Sequence, residues 1–190
     1  MSVSTTLTHA DLPKLGVKTT AAATLFAIAA AVALPQAVHI IGAASGMGDA
    51  LGMAFLPMHL PIIFVGLIAG PVAGAISGAL APLASFALTG MPVASMLPLM
   101  VVELCVYGLV AGLLRGVRLP SLAKVVVAQV AGRVAYTIAV AIAVAAFGSG
   151  MDVASIWTGD LAAGLPGIVL QLALLPPLAY WVDSLVARRG

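Results

Sequence analysis

Among the side chains that set a titratable or hydrogen-bonding head inside an otherwise apolar stretch are His59, Glu103, Tyr107, Arg133, Tyr136 and Gln171. His39 is another. Glu103 lies 12 residues before Arg115, and Arg133 lies 12 residues after Ser121. If both count along helices from one shared turn, the constant rise per residue brings the carboxylate and the guanidinium to the same depth. An isolated charge at the centre of a bilayer costs about 2.5 to 3.5 kcal/mol on insertion scales, and pairing removes most of that penalty. Tyr107 follows Glu103 by four and Tyr136 follows Arg133 by three, so each phenol shares a helix face with its charge. Two readings stay open: a buried ion pair that fixes helix register, or a pair that faces a cavity and meets a ligand. In the second, the faces suit an amphipathic solute. A guanidinium is the natural partner of a small carboxylate.

His59 stands between Pro57 and Pro61. Each proline removes a backbone donor, and Pro61 disfavours the α region at the residue before it. Non-helical backbone at membrane depth is tolerated only where protein buries it or water reaches it. The Pro-His-Pro segment is therefore expected at the edge of an outward-facing cavity, with His59 offered to solvent or ligand, or bonded to a loop carbonyl. His39, near Pro35, carries the same two readings. A metal site built from these two histidines lacks a supporting carboxylate or helical histidine pair, so no metal is expected. The lone Cys105 excludes a disulfide framework and a thiolate cluster. Intramembrane proteolysis would need a serine-histidine pair or two aspartates at core depth, and Glu103 is the only acid there. No enzyme activity, cofactor or nucleic-acid partner is expected.

These residues must be held by a membrane protein. Hydrophobic residues make up 63% of the 190 and charged residues 7%, and the mean hydropathy is +1.21. A soluble domain carries about 25% charged residues, so this chain could not cover itself with a polar surface, and the lipid bilayer must be its solvent. The apolar runs are continuous rather than alternating, which excludes a β-barrel. Cutting them at glycines, prolines and charges gives six spans: 18–41, 57–69, 71–89, 94–116, 121–147 and 161–187. The second is short for a bilayer, hence tilted or unwound at its start.

Residues 1–17 read as a cytoplasmic tail without the layout of a cleavable signal, and 18–190 as one membrane domain. Seven of the eight basic residues, Lys14, Lys18, Arg115, Arg118, Lys124, Arg188 and Arg189, fall on one side. The opposite loops carry Asp49, Asp152 and Asp160 and no Lys or Arg. Both termini are then expected in the cytoplasm. Trp157 and Trp181 are placed at the interfaces. The Gly- and Met-rich outer loops, Gly42 to Gly52 and Thr89 to Ser95, read as flexible lids.

Small residues spaced by four mark close helix contacts. Gly66, Gly70, Gly74 and Gly78 form one such row, read as internal packing of the third span. Ala23, Ala27 and Ala31 form a second on the first span, open equally to internal and intermolecular use.

The run FLPMHLPIIFVGLIAGPVAGAISGALAPLASFALTGMP (55–92), followed by MLPLMVVELCVYGLVAGLL (96–114) and AGRVAY (131–136), resembles the substrate-binding S-components of energy-coupling factor (ECF) vitamin transporters, particularly pantothenate-type members. The resemblance implies an all-α, six-transmembrane-helix bundle with both termini inside and a short second helix. It implies a vitamin pocket near the outer face, built from the fourth to sixth spans and the outer loops. It further implies docking on a transmembrane T-component through Ala23, Ala27 and Ala31, with two cytoplasmic ATPases driving a tilt of the subunit. The chain contains no Gly-x-x-x-x-Gly-Lys-Ser/Thr segment, so it cannot hydrolyse ATP itself. A bacterial inner-membrane location follows. A solitary transporter, with cobalamin as a rival ligand, and a membrane assembly subunit are the alternatives.

Overall fold

The computed structural model describes residues 15–148, Ala154 and 161–187. The expectations placed on Lys14, Asp152, Trp157, Asp160, Arg188 and Arg189 lie outside these residues. The helices are α1 (Val17–Ala44), α2 (Ala50–Phe55), α3 (His59–Ala69), α4 (Pro71–Thr89), α5 (Leu97–Leu113), α6 (Ser121–Phe147) and α7 (Leu161–Ala187). A 3-10 turn over Leu114–Gly116 extends α5. Counting α2 and α3 together, six segments among the described residues are long and apolar enough to cross a membrane. The chain is a six-helix membrane bundle, and large apolar side chains such as Leu25, Phe26, Val130 and Val169 cover its outside.

The second span is where the structure adds most. Its run starts at Ala50, seven residues before the expected start, because part of the segment read as a lid folds into α2. Leu56 then turns the chain with φ 48°, and α3 begins at His59. The interruption therefore falls at Leu56 to Met58, before the histidine. His59 sits in the first turn of α3, where Pro61 costs no hydrogen bond because that turn's N–H groups have no intrahelical acceptor.

Gly70, with φ 97°, closes α3, and Pro71 opens α4. The glycine row does pack inside the bundle. A methyl group on Gly74 would run into the carbonyl of Gly108, and one on Gly78 into that of Leu104, so α4 meets α5 backbone to backbone. The alanine row faces inward too. Ala27 and Ala31 are buried, with Ala27 against Val65 of α3 and Ala73 of α4 and Ala31 in the main core beside Ile62. These two alanines are covered by their own chain, which leaves a partner protein no access to them here.

Candidate functional site

Glu103 is the hub of the buried polar residues. The Tyr107 hydroxyl donates to its Oε1 at 3.1 Å. Arg133 Nη1 lies 3.5 Å from the same oxygen, and His59 Nε2 lies 3.8 Å from Oε2. The last separation is too long for a hydrogen bond, and neither ring nitrogen of His59 makes one. The His59 ring stands edge-on to Tyr107, with centroids 5.1 Å apart. The Arg133 guanidinium lies 5.4 Å from the centre of the Tyr136 ring, close enough for a cation–π contact. Tyr136 also places its hydroxyl 3.8 Å from Met96 Sδ.

The helices explain the convergence. Glu103 and Tyr107 share one face of α5, and Arg133 and Tyr136 share one face of α6, at matching distances from the turn between them. Gly132 on α6 gives the Tyr107 ring its place, since a Cβ there would lie 2.6 Å from ring carbons. The break at Leu56 to Met58 then lets α3 start level with the pair and drop His59 against it. Ion pair and cavity wall are thus not alternatives: Glu103 and Arg133 contact each other and both line a cavity.

That cavity has a volume of about 430 Å³ and occupies the end of the bundle opposite the basic turn at Arg115 to Lys124. Glu103, Arg133 and His59 form its polar floor. Met53, Met91, Met96 and Met100 give it soft, adaptable walls. His39 stands in its wall beside Gly52, and its Nδ1 is 3.1 Å from Asp49 Oδ1. The walls come from α1, α2, α3, α5, α6, Asp49 and the 91–93 segment, while α4 contributes Ser85 alone and α7 Ala163 alone. Of the fourth to sixth spans and outer loops that the resemblance implies for the pocket, the fourth and fifth spans and both loops line this cavity, while the sixth hardly reaches it, because α2 stands between α7 and the cavity. Gly164 and Gly167 of α7 receive Leu56 and the Phe55 carbonyl.

Gln171 and Tyr107 do not line this cavity. Gln171 is 1% exposed and accepts a hydrogen bond from Gln129 Nε2 at 3.0 Å. Both glutamines and Tyr107 line a second cavity of about 290 Å³ between α3, α6 and α7, and His59 and Arg133 line both. Sequence reasoning missed Asp49, Met96, Met100 and Gln129 as site residues. Asp49 offered a signal as the single charge between Lys18 and Glu103, and Gln129 another as a polar head four residues before Arg133 in the fifth span.

One family model, described as the substrate-specific component of ECF transporters, matches residues 17–179. Comparison with curated proteins and with solved structures gives no match.

Proposed function

The chain belongs to the family of ECF transporter substrate-specific components, and on that premise we propose that the 430 Å³ cavity binds a small carboxylate vitamin, of the size and kind of pantothenate, from outside the cell. The observation that carries this reading is the cavity floor, where Arg133, Glu103 and His59 meet under walls of methionine and proline. Small-ligand clefts span about 300 to 1,000 Å³, so this cavity suits an open-chain acid better than a macrocycle such as cobalamin.

A carboxylate arriving over the floor would compete with Glu103 for Arg133. His59, with no hydrogen bond of its own, could donate to whichever carboxylate the guanidinium leaves. Tyr107 would keep Glu103 in place meanwhile, because its hydrogen bond does not depend on Arg133. Tyr136 would hold the guanidinium from one face and leave its edge for a bidentate contact.

Transport itself needs energy the chain cannot draw from ATP. The family points to a T-component and two cytoplasmic ATPases in a bacterial inner membrane, and capture of tagged T-component on the tagged chain decides between that arrangement and solitary transport. The binding reading is tested by mass spectrometry of metabolites that co-purify with the protein from its native membrane. A vitamin near one-to-one occupancy is expected, and a reproducibly empty protein overturns the reading. Arg133→Ala should weaken binding of that vitamin at least tenfold; unchanged affinity would return Arg133 to a purely structural role.

A further inference from the structure

The two cavities meet at one partition, and the polar groups around it are incompletely satisfied. His59 and Arg133, together with Leu56, are the residues that face both spaces. Both ring nitrogens of His59 are buried without a hydrogen bond, although the residue is only 5% exposed. On the far side, Gln171 spends its Oε1 on Gln129, and its Nε2 has no hydrogen-bond acceptor. Buried donors left over in a folded protein call for an explanation, and an absent ligand is one. Three buried polar atoms without a partner, two on His59 at the partition and one on Gln171 beyond it, ask for a ligand that crosses the partition.

We propose that the two cavities are lobes of one ligand site, so that the ligand is an elongated molecule with a carboxylate in the outer lobe and a second, uncharged hydrogen-bond acceptor in the inner lobe. This rests on the carboxylate-binding reading above. The charges assign the ends. The outer lobe holds Glu103, Asp49 and His39 besides Arg133, so it is equipped for an ionic group and for rejecting a misplaced one. The inner lobe adds no acid or base to His59 and Arg133; beyond the partition it offers Gln129, Gln171 and Tyr107 with Ile168 and Leu172, and Val126, Val130 and Leu165, which are exposed on the outside of the bundle, form its rim. An amide or hydroxyl oxygen satisfies the Gln171 N–H there, whereas a second anionic group would find no counterion besides the Arg133 that the first already engages. His59 is suited to the partition because its ring can donate to one lobe and accept from the other.

The test titrates the full chain in lipid nanodiscs with four probes: the elongated acids pantothenate and biotin, the compact acid nicotinate, and the cation thiamine. Binding of at least one elongated acid, ten or more times tighter than nicotinate, is expected. Gln171→Leu should weaken that binding at least tenfold, and Ile168→Phe, which fills the inner lobe from its apolar side, should do the same if Gln171→Leu fails to fold. If nicotinate binds as tightly as the long acids, or if both variants leave the affinity within twofold, the two-lobe site is overturned while vitamin binding stands. Binding of thiamine alone overturns the carboxylate end as well. If none of the four probes binds, the carboxylate reading and the two-lobe site fall together.

Discussion

At the scale of single residues, the burial of Glu103 decides most of the chemistry. The residue is 4% exposed and its carboxylate lies against Tyr107, Arg133 and His59. Removing one member of a buried pair strands the other, which costs about 3 to 5 kcal/mol, while replacing both is far milder. Arg133→Gln is therefore expected to lower thermal stability in detergent more than the double variant Glu103→Gln with Arg133→Gln does. A double variant as unstable as the single would show that the two groups do not stabilise each other. The pair itself was legible in the sequence from its equal distances to the shared turn and its companion tyrosines. The place of His59 as a third member was not, because it depends on the left-handed turn at Leu56, and leucine is not a residue that advertises positive φ. Gln171 was legible as a buried polar group but not as belonging to a separate space, since α2 was read as loop and so could not be seen to part α7 from the outer cavity.

At the scale of the helices, close approach of α4 and α5 sets the platform on which Glu103 stands. Gly74 and Gly108 face each other so tightly that a Cβ on either would enter the other's carbonyl. No side-chain rotation can relieve that contact. Inserting bulk into a packed core costs about 1 to 3 kcal/mol when neighbours can shift, and here backbone would have to move. Gly74→Leu should thus lower the unfolding midpoint clearly and also shift Glu103, whereas Gly116→Ala, with open space around it, should stay within about 0.5 kcal/mol of the parent. Equal stability of the two variants, measured by thermal unfolding in the same detergent, would contradict the backbone-to-backbone contact. The glycine spacing disclosed that contact in advance. The alanine row did not disclose its direction, because lipid and protein interior accept the same small apolar residues and no polar residue falls between Thr24 and Gln36 to mark one face.

At the scale of the whole molecule, the count of spans was legible because charge is nearly absent from the long runs, and a bilayer leaves few alternatives for such a chain. What the bundle adds is polarity from end to end. The cavity and Asp49 lie at one end. At the other, Lys124, though fully buried, turns its ammonium to the Arg115 carbonyl at 3.0 Å and ties α6 to the end of α5. Basic residues gather on the cytoplasmic side of membrane proteins, so the proposed orientation puts the Arg115 to Lys124 turn inside and the cavity outside, as the proposed uptake requires. This is open to direct measurement in a Cys105→Ala background, which removes the only native thiol. Ala50→Cys at the start of α2 should react in intact cells with a membrane-impermeant maleimide. Leu119→Cys in the turn before α6 should react only after permeabilisation. The reverse pattern would turn the cavity toward the cytoplasm, and a binding site that opens there in the resting state cannot collect a nutrient from outside.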